Sequence, residues 1–184
     1  SRIAEFDTAL LEAASLPDSE ARLARVADTA RNLSTQIVGA SKAVQDARAY
    51  ADDQIEAEVD FLNRTLQQIA DMNGNIRASY SYSRDPSALI DQRQQLIDSI
   101  ATVVPLREIA RDDGQIALYS TGGAMLVDGA AAKFGFEPSG VITPEMSVGL
   151  GSLSGLTLNG RPLVTSGNDN LIAGGSLATH FEVR

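Results

Sequence analysis

The side chains able to do chemistry are few and poorly matched in this 184-residue chain. The one histidine, His180, has no second histidine with which to form a ligand set or a dyad. A lone imidazole of that kind is a packed or surface side chain before it is a base. Asp52, Asp53, Glu56, Glu58 and Asp60 crowd one stretch. Wound on a helix they spread around it, which predicts a solvated acidic face rather than a cation site. Asn168-Asp169-Asn170 has the look of a calcium loop. It lacks the glycine and the closing glutamate that such a loop needs, so it is expected to be a polar turn. Neither Gly122-Gly123 nor Gly174-Gly175 fits a phosphate-cradling motif. Serines are plentiful, but none has a base partner that would make it a nucleophile. With no cysteine there is no thiolate chemistry, disulfide or cysteine metal site. The expectation is a protein that is not an enzyme, with no catalytic, cofactor-binding or metal-ligating residue.

Charge and composition narrow the partners. A net charge of -9 disfavours nucleic acid, which requires a basic footprint, and disfavours an anionic membrane surface equally. No run approaches the roughly 18–20 apolar residues of a membrane span. Ser1 opens the chain in place of Met, and no signal peptide precedes it, so an excised fragment of a longer protein is expected. Apolar residues make up 43% and aromatics only 5%, so the core must be built from Ala, Leu, Ile and Val.

The elements that would position any site divide at about Pro105. From Leu23 to Ile76 apolar residues recur every three or four positions, through Leu33, Ile37, Val44, Ile55, Leu62, Ile69 and Met72, with no proline among them. That spacing predicts one very long helix from Asp18 to about Ala78, spanning roughly 90 Å at 1.5 Å per residue. Between Ala47 and Leu62 the steps read four, four, four, three, so a regular two-stranded coiled coil is not expected. Before it, Ile3, Phe6, Leu10 and Ala14 lie on one face of a short helix that Leu16-Pro17 ends. Asp18 reads as the N-cap of the long helix. Asp18–Arg22, Arg48–Asp52 and Asp60–Arg64 read as i,i+4 pairs on its solvated side. Asp85-Pro86 starts a third helix carrying Leu89, Ile90, Leu96, Ile97, Ile100 and Val103.

Thirteen of the 15 glycines fall between Gly114 and Gly175, where the grammar becomes that of β hairpins. Leu106–Arg111 and Gln115–Ser120 flank Asp112-Asp113-Gly114, and Met125–Val127 leads into Asp128-Gly129. Leu156–Leu158 and Leu163-Val164 flank Asn159-Gly160, with Pro162 expected at a sheet edge. Leu177–Val183 fits either a strand or a helix start, and a closing helix capped by Ser176 is the favoured reading. The fold class is therefore α+β: an elongated antiparallel helical bundle with one very long helix, plus a separate antiparallel β domain. The expected domains are a helical part, 1–105, to which 176–184 returns, and a β-rich outer part, 106–175.

The stretch Asp85–Gly129 resembles the middle of the flagellar hook-associated protein 1 family, the hook–filament junction protein. The family's pattern is a Leu-x-Asp-Gln-Arg-Asp-x-Leu helix, a strand, an Asp-Gly turn, a second strand and a Leu-Val-x-Gly segment. The matching positions here are Leu89, Asp91, Gln92, Arg93 and Leu96, then Asp113-Gly114, then Leu126-Val127 and Gly129. Val59–Asn63 through Ile69–Asn73 is similar to the family's long helix, and Gly174–Leu177 through Phe181–Arg184 to its return into the helical region. Gln94 departs from the pattern, standing where the family usually has a second aspartate, and Gly140–Asn170 matches nothing in it.

The resemblance implies a structural adaptor exported by the flagellar type III apparatus and placed outside the cell, at the hook–filament junction. It implies as partners the hook protein, the second junction protein and further copies of the chain, with no nucleic acid, no membrane and no cofactor. The family's terminal helices are absent at both ends, so this fragment is expected to be soluble and monomeric. Asp91 and Arg93 would orient the third helix through charge-assisted hydrogen bonds, the alternative being plain surface exposure. Two other readings stay open on the residues alone: a signalling bundle such as a chemoreceptor ligand domain, and a tail-fibre-like or adhesin module.

Overall fold

With no proline between Pro17 and Pro86, a single helix runs from Glu20 to Ser81, 62 residues in all. It is α2 of a computed structural model that describes all residues 1–184. Around it the chain forms α1 (Arg2–Ser15), α3 (Ser87–Ala101), β1 (Leu106–Ala110), a 3-10 turn (Asp112–Gly114), β2 (Ile116–Ser120) and β3 (Met125–Asp128). Then come β4 (Ala130–Ala131), β5 (Phe134–Gly135), β6 (Thr157–Leu158), β7 (Arg161–Pro162) and α4 (Gly175–Val183). The class is α+β, with one very long helix and antiparallel strands, as the sequence predicts. No helix is long and apolar enough to cross a membrane. Contacts group the chain into two compact units, Ser1–Asp46 and Ala47–Arg184.

In the first unit α1 buries Ala9 and Ala13. Arg22 donates from Nη1 to the Glu12 carbonyl (2.6 Å) and to Ser15 Oγ (2.5 Å), and Arg25 pairs with Glu12 Oε2 at 2.8 Å. The expected Asp18–Arg22 pair is thereby replaced, because the α1 end offers Arg22 closer acceptors. Asp18 is not the cap either: Leu23 N–H bonds to Ser19 O (3.0 Å), so Ser19 precedes the first helical turn and Asp18 lies in the connecting bend. Leu23, Ile37, Val38 and Val44 are exposed, so in this part the apolar seam is a surface feature.

The seam is buried only in the second unit. There Ile55, Val59, Leu62, Leu66 and Ile69 of α2 share one buried cluster with Ile97 and Ile100 of α3, and Ala51 and Ile76 of α2 are buried too. Above these helices lie Ile116 and Leu118 of β2 and Leu126 and Val127 of β3, with Phe134, Leu156 and Leu177 closing the same cluster. One sheet has the order β1-β2-β3-β4 and the other β5-β6-β7, every pairing being antiparallel. Pro162 pairs with Thr157 on the outer strand β7, where its missing N–H removes no ladder bond. Leu62→Ala would leave a cavity at the centre of this cluster and should cost about 2–5 kcal/mol in urea unfolding. Leu11→Ala, at an exposed site on α1, should stay within about 0.5 kcal/mol.

Helix α3 is started as the sequence suggests, one residue later. The Asp85 carboxylate accepts from Ser87 N (3.0 Å) and Ser87 Oγ (2.5 Å), which hold its pKa below the ordinary aspartate value. For α4 the cap is different from the expectation. Gly174 precedes the helix, and Ser176 lies inside it with its hydroxyl directed elsewhere.

Candidate functional site

Polar groups buried in a low-dielectric interior must be paired, so the buried polar side chains mark where the fold is specified most closely. Three polar clusters stand out in the second unit, two centred on buried side chains and one half-buried. In the first, Asn73 lies on the buried face of α2 between Ile69 and Ile76. Its Nδ2 donates to Ile116 O (2.8 Å) while its Oδ1 accepts from Ile116 N (3.3 Å), so one side-chain amide satisfies both main-chain groups of a β2 residue. Arg93 Nη1, reaching across from α3, donates to the same Oδ1 (2.7 Å) and to Gly114 O (2.8 Å). Burial lowers the Arg93 pKa from its ordinary value, opposed by attraction from Glu108 and Tyr80. One node thus ties α2, α3 and the β1–β2 turn.

The motif residues fall unevenly about this node. Arg93 and Gly114 meet in it directly. Leu96 is half-buried against the core and Leu89 half-buried on the same helix, while Asp91 and Gln92 are exposed. Arg93 therefore binds α3 through neutral oxygens, and Asp91 is not its partner. Asp113 is exposed in the turn with left-handed φ (53°), and Gly129 is exposed between β3 and β4. Beside that second turn, Arg111 and Asp128 form a two-pronged pair (Nη2–Oδ2 2.7 Å, Nε–Oδ1 3.2 Å). The hydrogen bond from Arg111 holds the Asp128 carboxyl below the usual carboxylate range.

The second cluster joins α4 to α2. Ser176 Oγ donates to Glu58 Oε1 (2.5 Å) and His180 Nδ1 lies 3.2 Å from Glu58 Oε2. Serine, histidine and glutamate are thus adjacent, but the hydroxyl is aimed at the carboxylate rather than the imidazole. A serine–histidine nucleophile takes its base from the imidazole, and here the imidazole faces Glu58 instead of the hydroxyl. No three His, Asp or Glu side chains converge as a metal site would need.

The third cluster centres on Asp52, which is buried and forms an ion pair with the buried Arg184. Asp52 Oδ2 also accepts from the successive N–H groups of Ser139 (2.5 Å) and Gly140 (3.3 Å). Arg48 donates to the main-chain oxygens of Arg184 (2.7 Å), Thr143 (3.1 Å) and Met146 (2.6 Å). Of the expected solvated acidic residues Asp53, Glu56 and Asp60 are exposed, whereas Asp52 and Glu58 are drawn inward because Arg184, Ser176 and His180 meet them. The expected Arg48–Asp52 surface pair gives way to these longer-range bonds for the same reason.

Sequence reasoning did not find Asn73, Asp52 or Arg184 as anchors. For Asn73 a signal existed, a polar residue at seam spacing four after Ile69 and three before Ile76. The seam as read ran instead through Met72, which is only half-buried. Asn63, whose amide brackets Phe134 through N (2.8 Å) and O (2.9 Å), carried a similar signal. Arg184 carried none, because nothing local shows that its guanidinium meets a residue so far back in the chain.

This arrangement holds segments of the chain together. A search of curated proteins finds no match. Among solved structures the chain is similar to the flagellar hook junction protein FlgK from Burkholderia pseudomallei, with a TM-score of 0.76 and 19% identity. The likeness covers 99% of this chain and 32% of that one, so the chain spans about a third of the length of the structure it matches. At that identity it is the fold that is shared. The family pattern described as the flagellar hook-associated protein FlgK helical domain matches residues 1–184, the whole chain. On that full-length match, the chain belongs to the FlgK helical-domain family.

Proposed function

We propose that the protein to which this chain belongs is a structural component of the bacterial flagellum, an adaptor joining hook to filament. The observation that carries the reading is the match of the FlgK helical-domain pattern over residues 1–184. The polar clusters support it, since each fixes one segment against another. The role is therefore mechanical rather than catalytic. Its partners are other axial proteins (the hook protein, the second junction protein and further copies of itself), and its place is extracellular, reached through the flagellar export apparatus.

Electron microscopy of cells lacking the full-length gene, paired with a flagellin assay of the medium, tests the reading. The expected result is bare hooks with flagellin lost to the medium, restored by the intact gene. Normal filaments in the deletion strain, with no second gene copy, would overturn it and favour a signalling or tail-fibre-like role.

A further inference from the structure

The segment between β5 and β6 has an unusual dependence on charge. From Pro138 to Gly155 it contains no helix and no strand. Its two buried apolar side chains, Ile142 and Leu153, lie outside the cluster that forms the main core. Val141, Val148 and Leu150 are exposed. What joins the segment to the helices is a set of bonds from three charged side chains. Asp52 takes the N–H groups of Ser139 and Gly140, a concave pair of donors of the kind that binds anions. Arg48 takes the carbonyls of Thr143 and Met146. Arg184 donates to Ser154 O (2.5 Å) and reaches Ser154 Oγ (3.3 Å) and Ser139 Oγ (3.4 Å). Arg184 is itself oriented by Asp52 and by the Phe136 ring, 4.7 Å from its guanidinium carbon.

We infer that Asp52, Arg48 and Arg184 form a clip that holds the 138–155 segment in place, and that the segment can be released while the core of the same unit stays folded. Segments with few apolar contacts open at lower free energy than the core they adjoin. Here the buried apolar side chains are limited to Ile142 and Leu153, so the charged bonds decide whether the segment is open or closed. Asp52 is the pivot, since it alone joins the Arg184 guanidinium to the N–H groups of the segment, whereas the Arg48 bonds to Arg184 and to the segment go to main-chain oxygens. A buried pair of this kind fixes an arrangement more than it adds stability.

Hydrogen exchange of the chain Ser1–Arg184 tests this, comparing it with Asp52→Asn and, separately, Arg48→Met. Asparagine keeps the shape and one acceptor but removes the charge; Arg48 is half-buried at the rim, so its replacement spares the interior. In Asp52→Asn the amides of 139–154 should exchange at least about tenfold faster, while those of 62–76 and 97–104 keep their protection. In Arg48→Met the acceleration should be confined to the amides around 143–147. Equal acceleration of core and segment in Asp52→Asn would overturn the clip, as would no acceleration of the segment in either variant.

Discussion

Asn73→Leu should lower the stability of the Ala47–Arg184 unit by about 3–5 kcal/mol, the largest loss expected from any single side chain of similar volume. Leucine fills the space but has no polar atom. Ile116 would lose the partners of both its N–H and its C=O, in a place where water does not replace them. Arg93 would keep only Gly114 O, leaving a buried guanidinium underpaired. An orphaned buried charge is far costlier than the pair it came from was stabilising. Asn73→Asp should cost less, because a carboxylate oxygen still faces Arg93, now as an opposite charge, and Ile116 N, which offsets the repulsion of its other oxygen from Ile116 O. Urea unfolding followed by circular dichroism reads the difference as a shift in midpoint at constant slope. Equal midpoints for Asn73→Leu and the parent would show that the node is dispensable.

Gly175→Ala is the second large effect, and its cause lies in the main chain. Gly175 has φ of 75°, a region where a Cβ costs about 1–2 kcal/mol by itself. Its Cβ would also stand 2.4 Å from Val103 O and 2.8 Å from Val103 C. Neither atom can yield as a flexible side chain does, because Ser176 N and Leu177 N are bonded to Thr102 O (3.0 Å) and Val103 O (3.3 Å) at the same spot. The start of α4 must therefore move away from the end of α3, pulling Leu177 from the core. A loss of about 3 kcal/mol or more is expected, with faster proteolysis within α4. Gly160→Ala is the control, since φ there is 77° but no atom lies within 4 Å of the added carbon. Equal losses in the two variants would mean that close approach contributes nothing at Gly175.

These two sites also show what was legible in the sequence. Element types were read well where one local signal decided them. The proline-free seam gave α2, Asp85-Pro86 gave the start of α3, and the Asp-Gly and Asn-Gly turns gave the hairpins. Positions were misread where a distant segment decided the outcome. Asp52 and Glu58 look like members of a solvated face until α4 delivers Arg184, Ser176 and His180 to them. Ser176 looks like a cap for the same reason: a serine before an apolar run is the local rule, but Glu58 takes its hydroxyl. Arg93 stood out through the resemblance, while its partner Asn73 did not, because a polar residue on a buried stripe is recognised only once the opposing strand is known.

The two asparagines of α2 have one more consequence, which concerns what the sheets do to other chains. An open strand edge offers unpaired N–H and C=O groups on which a foreign strand can assemble. Here Asn63 occupies Phe134 on the outer side of β5, standing in for a missing neighbour strand, and Asn73 occupies Ile116 at the end of the inner strand β2, beyond its paired register with β3. The remaining borders are blunted by other means: β1 carries Arg107 and Glu108, β4 is only two residues long, and β7 ends on Pro162. The two small sheets are thereby kept from seeding cross-strand aggregates, and α2 provides that insulation as well as part of the core.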